Sequence, residues 1–511
     1  MKVFNIEESI NTKQNEEFKT LPNLLRFYSK NKPNGVAIRQ KRFGLWKELT
    51  WRQYEKLSIN CGCALLDLGF KKEENIAILS ENRQEWLISE LGMHLVGLVP
   101  VGVYPTSPSN EILHILLSTN AKAVICEDQE QVDKIIEIKD SLPLLDKIIC
   151  IDNKGLNSYT ESKIIFWNNF LLDGSKKFSE NPNIISECLR SHSPDDTALI
   201  VPTSGSTGPP KPAMISFRNI SFIGKSTSEV IERKNSDNVV SYLPLCHVAE
   251  QLFSVFIAMH GGYTANFGES IRTVQQDLRD IAPTIFLGVP RIWEKMQSEI
   301  IIQSKKKNLQ SFILKKGIIL SKKFNDPWKK KNIFLSLENF FWEWFLFRHI
   351  RNGLGLTKCR IAISGAAPIS RETLLFFRGF GVPLMEGFGM TETSGASAIQ
   401  MLRKKSQGAI GFPISGVQFK LAEDNELLIK GGCVFKGYYQ DEKSTNETLK
   451  DGWLYTGDIA EIYLDGSISI IGRKKEIFIT ASGKNLSPNV IENTIKSSPY
   501  IKECILIADK R

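Results

Sequence analysis

Residues 75–79 read Asn-Ile-Ala-Ile-Leu, and the last four form a short apolar run of the kind a buried strand carries. The segments on either side have a different period. Over 51–68 the apolar positions Leu57, Cys61, Ala64, Leu65 and Leu68 recur at helical spacing, and 85–96 is helix-like again. Helix, buried strand, helix is α/β order, and the alternation continues to about Asp195. A second α/β stretch is expected from Asp196 to about Ile410, with strand-like runs at 198–201, 239–243, 284–287 and 360–363. At 511 residues the chain exceeds what one simple core serves, so two or more packed units are expected.

Between the last two of those runs lies a Lys-rich and aromatic-rich helical region, 303–351. Phe340, Phe341, Trp342, Trp344, Phe345 and Phe347 are expected to give it one strongly apolar, packed face. A peripheral membrane role is the second reading, because aromatic and basic residues together suit a lipid interface. From Gly411 the texture changes to short strands with turn signals at Gly431 and Gly432, Asp451 and Gly452, and Asp465 and Gly466, which predicts a small β-rich subdomain. Arg473, Lys474, Lys475 and Glu476 follow as a charged linker or hinge, and then a helix over 488–497 and a strand over 502–507 are expected.

Charge and cysteine usage narrow the class further. Nine cysteines lie scattered without a Cys-x-x-Cys pair, and Cys61 with Cys63 has no second cluster to complete a zinc site, which fits a reduced cytosolic compartment. The first ten residues do not read as a secretory signal, and the apolar stretch 87–103 is broken by Glu90, His94 and Pro100, so no membrane-spanning helix is expected. The net charge of +9 would favour polyanions such as ATP, CoA, acidic lipid or nucleic acid. The lysine runs 305–307 and 329–331 read as solvated helix faces, and no nucleic-acid partner is expected.

Three clusters carry chemistry. Thr203, Ser204, Gly205, Ser206, Thr207, Gly208 and Lys211 follow directly on the strand 198–201, so that hydroxyls, backbone N–H groups and a lysine can converge on phosphate. The spacing is not that of a Walker loop, and Pro209, Pro210 and Pro212 donate no N–H. In the second cluster, Glu386 to Glu392, Gly387 and Gly389 flank Phe388 and would let a flat ring approach, while Thr391 offers a hydroxyl for phosphate and Glu392 a carboxylate for magnesium. The third cluster ends on Asp458, which can accept from ribose hydroxyls, and Arg473 follows one hairpin later. Each cluster alone also has a bland reading, as a surface turn, a helix cap or an ordinary polar group.

Together, in this order, they resemble the adenylate-forming (AMP-binding) superfamily of acyl-CoA synthetases, luciferases and adenylation domains, and the resemblance covers essentially the whole chain. Leu243 to His247 is similar to the segment that places a histidine near the carboxylate substrate, and Gly365, Ala366 and Ala367 to the adenine-contact loop. Gly472 to Glu476 resembles the hinge, and Gly483 to Asn485 the loop of the thioester step. Within the superfamily, 288–295 and 241–251 look like the bacterial long-chain and bubblegum-type branch.

The resemblance implies an α/β fold. A large domain, 1–472, would comprise two α/β subdomains and a β-rich one, followed by a hinge and an incomplete small α+β C-terminal lid over 473–511. It also implies an ATP-dependent, magnesium-requiring ligase that forms acyl-AMP and then acyl-CoA from a long-chain fatty acid. His247, Thr391, Glu392 and Lys475 would act in catalysis, the loop 203–211 with residues 365–367, 387–389, Asp458 and Arg473 would bind ATP, and Gly483 would line the CoA path. Pro212 stands where the family has glycine, and the family's late lysine is expected beyond Arg511. The alternatives are an adenylating ligase of another acid class and a nucleotide- or acyl-binding form with little turnover. No Gly-x-Ser-x-Gly elbow or His-Glu-x-x-His helix occurs, which disfavours a serine hydrolase or a zincin.

Overall fold

The computed structural model describes residues 20–159, 161, 163–203, 208–232, 234, 236–323, 333–402, 404–406, 408–476, 478–479, 485–486, 488, 491–492, 495, 501 and 504–507. Two large sheets and one smaller sheet organise it. The first has eight strands, and Asn75–Leu79 lies inside it between Val99–Val103 and Ala123–Cys126, paired parallel to both. Every residue of these three strands is buried, as a strand covered on both faces requires. Helices Trp51–Asp67, Gln84–Val96 and Trp167–Glu180 pack together beside this sheet. Gly174 makes that packing possible, because a Cβ there would lie 1.8 Å from the Asn60 carbonyl oxygen.

The second sheet has nine strands and a parallel centre built from Val36–Arg42, Thr264–Phe267, Asn238–Ser241, Ile285–Gly288, Ile361–Ser364 and Leu384–Phe388. A five-stranded antiparallel sheet, Gln418–Leu421 to Ile468–Arg473, forms the β-rich unit. Its hairpin turns carry Gly452 and Gly466 at φ 75° and 81°, a backbone region that favours glycine.

The structure corrects the division of the first two units at about residue 195. Strands Thr197–Thr203 and Lys211–Ser216 complete the first sheet, while the hairpin Val36–Arg42/Leu45–Thr50 joins the second through Ile38 opposite Ala265. Pairing across more than two hundred residues is a tertiary event that local periodicity does not report.

The aromatic region also differs from expectation. Its helices are Pro290–Ser304, Leu309–Ser321, Ile333–Trp342 and Arg348–Leu354, with a π-helical turn at Glu343–Phe347. Six aromatics within eight positions cannot share one helical face. Phe347 is buried against Phe380, whereas Phe340, Phe341, Trp344 and Phe345 are exposed. Near the C-terminus, 504–507 are not strand, and Ile505 and Ile507 are exposed. Residues 488, 491, 492 and 495 are helical, and the rest of that expected helix lies outside the described residues.

Candidate active site

One cavity of about 1800 Å³ opens at the carboxyl ends of strands Thr197–Thr203, Ile285–Gly288, Ile361–Ser364 and Leu384–Phe388, and the β-rich sheet faces it with residues 455–457 and 473–476. The carboxyl edge of parallel strands is where open α/β sheets bind ligands. Ordinary ligand pockets run to roughly 300–1,000 Å³, so this one has room for more than one small molecule.

At its phosphate-competent edge, Thr197–Thr203 and Lys211–Ser216 form an antiparallel hairpin. Thr203 stands opposite Lys211 at the mouth and donates its hydroxyl to the Lys211 carbonyl at 3.2 Å. The loop therefore joins strand to strand, unlike a Walker loop, which opens a helix. Thr203, Gly208 and Lys211 line the cavity; Ser204, Gly205, Ser206 and Thr207 lie outside the described residues. Lys211 donates to the Ser444 hydroxyl at 2.8 Å and lies 5.4 Å from the Tyr438 ring centroid. Pro212 pairs with Pro202 in the ladder, and its carbonyl accepts from Tyr439 N, so it sits in regular strand structure.

Across the cavity, Leu384–Phe388 ends in the 3-10 turn Thr391–Thr393. Thr393 does the local capping, accepting from Met390 N at 3.0 Å, and Thr391 lines the cavity. Gly389 is accounted for by the turn itself, since a Cβ there would come within 2.2 Å of the Gly395 carbonyl oxygen. Gly387, Phe388, Gly365 and Ala366 line the cavity, the last at φ 66°. Ala367 is exposed and does not line it, contrary to expectation.

Glu392 is buried, and its Oε1 accepts from the Tyr438 hydroxyl at 2.7 Å. Burial, and then the charge of Glu392, hold the Tyr438 hydroxyl well above its ordinary range, so it stays a donor. Tyr438 is a site residue that sequence reasoning missed. Its only local signal is the short strand Gly437–Tyr438, which pairs with the phosphate hairpin.

Asp458 stands opposite Arg473 across one hairpin, with a carboxylate–guanidinium distance of 3.1 Å. Burial raises the Asp458 carboxyl to about 6; Arg473 pulls it down, while Glu392, Glu426 and Glu476 push it up. Arg473 lines the cavity and Asp458 does not, so the pair reaches the cavity through the arginine. Lys474 is tied to Asp424 and, at 2.9 Å, to Glu426, which fastens it to the β-rich sheet. Lys475 lines the cavity and is exposed; Gly483 lies outside the described residues.

His247 caps the short helix Val248–Glu250, its Nδ1 accepting from Ala249 N at 3.1 Å. That bond puts the proton of the neutral ring on Nε2, and burial holds the imidazole below the ordinary histidine pKa. His247 is thus a neutral donor on the cavity wall. Next to it in the chain, Leu252, Phe253 and Ile257 of the π-helix Gln251–Ile257 form an apolar wall with Val230, Ile231, Leu287 and Ile363.

Asn82, also missed from sequence, pins the loop that delivers His247. Its Nδ2 donates to the Ser241 hydroxyl at 2.9 Å and the Leu243 carbonyl at 2.5 Å, and its Oδ1 accepts from Leu245 N at 2.8 Å. Asn82→Ala removes the bonds that hold the loop and should destabilise the protein by about 1–3 kcal/mol. Urea midpoints of parent and variant check this, and an unchanged midpoint would contradict a role in holding the His247 loop.

Among the described residues no group of three or more His, Cys, Asp or Glu could hold a metal. Magnesium commonly takes one or two carboxylates and completes its shell with water and substrate phosphates, so a lone Glu392 beside a phosphate-competent edge is compatible with it.

A cavity at the carboxyl ends of parallel strands, closed on one side by a β-rich unit, marks the chain as a ligand-binding α/β protein. The AMP-binding enzyme family matches residues 26–439, and the chain belongs to that family. It is 30% identical over 500 residues to the long-chain-fatty-acid–CoA ligase ACSBG2 of Xenopus laevis, a match spanning 93% of this chain and 66% of that protein. It is 28% identical over 492 residues to the long-chain-fatty-acid–CoA ligase FadD15 of Mycobacterium bovis, spanning 95% of this chain and 79% of the relative. The structure of the anthranilate CoA ligase AuaEII in complex with anthranoyl-AMP shares the fold with a TM-score of 0.74 at 19% identity, over 96% of this chain and 84% of that one.

Proposed function

We propose that the chain is an AMP-forming, ATP-dependent ligase that joins long-chain fatty acids to CoA. In the first half-reaction a carboxylate oxygen attacks the α-phosphorus of ATP and pyrophosphate leaves; in the second, the CoA thiol takes the acyl group and AMP departs. The observation that carries the reading is one cavity in which a Thr203/Lys211 phosphate edge and an apolar wall meet beside the neutral His247.

In this reading the His247 Nε2–H orients the carboxylate, and Lys211 with the loop 203–208 neutralises the triphosphate. Thr391 and Glu392 would hold magnesium, which supplies further charge neutralisation when bound. Asp458 and Arg473 would fix the ribose, and Gly365, Ala366, Gly387, Phe388 and Gly389 the adenine. Lys475 would sit at a hinge that exchanges the two half-reactions, and Gly483 on the CoA path. The proposal extends to a cytosolic enzyme that meets its sparingly soluble substrate at a lipid surface.

ATP–pyrophosphate exchange with acids of graded chain length, followed by thioester formation with CoA, tests it. Exchange should be strongest with long-chain fatty acids. Exchange confined to short or aromatic acids would replace the substrate class, and exchange without any thioester would restrict the function to adenylation.

A further inference from the structure

We propose that the described helices within 301–323 and 333–354 form the face by which this protein lies on an anionic lipid bilayer. The first observation is where the charge sits. Residues 301–354 hold twelve Lys and Arg against three Asp and Glu, which is the whole of the chain's +9; the remainder carries 53 residues of each sign. A neutral body bears one strongly basic appendage.

Exposure supplies the second. Leu337, Phe340, Phe341, Trp344 and Phe345 follow one another along Ile333–Trp342 and Glu343–Phe347, and Phe340 and Trp344 are 72% and 68% exposed. On Leu309–Ser321 and just beyond it, Leu309, Phe312, Lys316, Ile319 and Lys323 recur every three or four residues, so they share one helical face, and all five are exposed. Lys316 Nζ lies 4.7 Å from the Phe312 ring centroid, placing cation and apolar group side by side. Isolated exposed apolar residues need no explanation, but this many on two neighbouring helices mark an interaction surface.

The excursion is nevertheless anchored. Phe347 packs edge-on against Phe380, and Gly317 lets Leu309–Ser321 sit against Leu346, whose Cδ2 would be 2.1 Å from a Cβ at that position. Its two described carboxylates are already paired, Glu338 with Lys323 at 3.2 Å and Glu343 with Arg351 at 2.9 Å. Lys306, Lys307, Lys315, Lys316 and Lys322 remain exposed around the apolar residues.

A bilayer surface uses both properties at once: aromatic and aliphatic side chains enter the headgroup–acyl boundary while lysine stems reach lipid phosphates. A nucleic acid would use the lysines and leave Leu309, Ile319 and Leu337 uncovered. No described helix is long and apolar enough to cross a membrane, so the contact is one of lying on the surface. This inference rests on the fatty-acid reading only for its purpose; charge and exposure define the surface by themselves.

Flotation of the full chain with phosphatidylcholine vesicles, with and without phosphatidylglycerol, tests it. Binding should need the anionic lipid and weaken with salt. Lys305→Ala, Lys306→Ala and Lys307→Ala combined should lower partitioning about a hundredfold, at roughly fivefold per surface cation. Phe340→Ser with Trp344→Ser should release the protein even from anionic vesicles. Exchange activity of the same variants in lipid-free solution should equal that of the parent, which separates surface loss from misfolding.

Equal binding to neutral vesicles, or none to anionic ones, would overturn the proposal. So would tighter binding to RNA than to vesicles, or a stable dimer that Phe340→Ser with Trp344→Ser dissolves. A parent chain that floats with anionic lipid but exchanges no acid would end the ligase reading and leave the surface standing.

Discussion

Glu392→Gln should reduce ATP–pyrophosphate exchange about a hundred- to a thousandfold, the usual cost of losing one contribution to transition-state charge stabilisation, here the carboxylate that would hold magnesium. The substitution keeps size and shape, and a glutamine Oε1 can still accept from the Tyr438 hydroxyl, so the 2.7 Å contact and the turn Thr391–Thr393 need not move. What disappears is the negative charge beside the hydroxyl of Tyr438, the tyrosine whose ring centroid lies 5.4 Å from Lys211 Nζ. Tyr438→Phe is the informative contrast. It leaves the carboxylate and removes the bond that aims it, so its loss should be about tenfold, close to one hydrogen bond to a charged group. Exchange rates and ATP dissociation constants of both variants decide the matter. A Glu392→Gln enzyme with near-parental exchange would remove Glu392 from the chemistry, and equal losses in both would make Tyr438 more than a support.

Local pattern sufficed wherever local pattern decides structure. Asn75–Leu79 is the strand its four apolar residues announce, and Asp451 with Gly452 and Asp465 with Gly466 turn hairpins as their chemistry dictates. Thr203 and the segment 387–392 meet at one cavity because each lies at the carboxyl end of a strand, whereas Asp458 lies within the antiparallel strand Trp453–Ile462 and reaches the cavity only through Arg473. What sequence could not supply was long-range pairing. The hairpin at 36–50 crosses into the second sheet because Ile38 meets Ala265, and no window of sequence contains both. Asn82 escaped notice for the same reason: an asparagine next to a strand reads as a turn until the structure sets it against residues 241–245. Asp458 was legible as a carboxylate but not as a buried one covered by Arg473, since burial is a property of the packed sheet. The aromatic run 340–347 read as core because apolar residues usually are; Phe347 is buried against Phe380 with Trp342 packed beside them, while Phe340, Phe341, Trp344 and Phe345 stay exposed.

Glu90→Gln should stabilise the protein by about 3 kcal/mol at pH 8 and by little at pH 4.5. Glu90 is fully buried in helix Gln84–Val96; its Oε2 accepts from Trp86 Nε1 at 3.3 Å and Gln251 Nε2 at 2.9 Å, and Oε1 has no hydrogen-bond partner among the described residues. Burial lifts the carboxyl from its ordinary 4.5 to about 7, with the bonds from Gln251 and Trp86 acting the other way. A carboxyl whose folded pKa exceeds its unfolded value holds more proton in the folded state between the two. Stability therefore falls as pH rises from about 4.5 to about 7 and then levels. Glutamine removes that slope while keeping an acceptor for Trp86 and Gln251. The same Gln251 Nε2 also donates to the Leu245 carbonyl at 2.9 Å, which makes Glu90 a support for the loop that presents His247. Urea midpoints of parent and variant at pH 4.5, 6 and 8 provide the measurement: the gap should widen with pH and close toward acid. A gap independent of pH would mean that Glu90 titrates as an ordinary carboxylate, and a destabilised variant at pH 8 would mean that burying the amide NH2 at the unpartnered Oε1 position costs more than burying the charge.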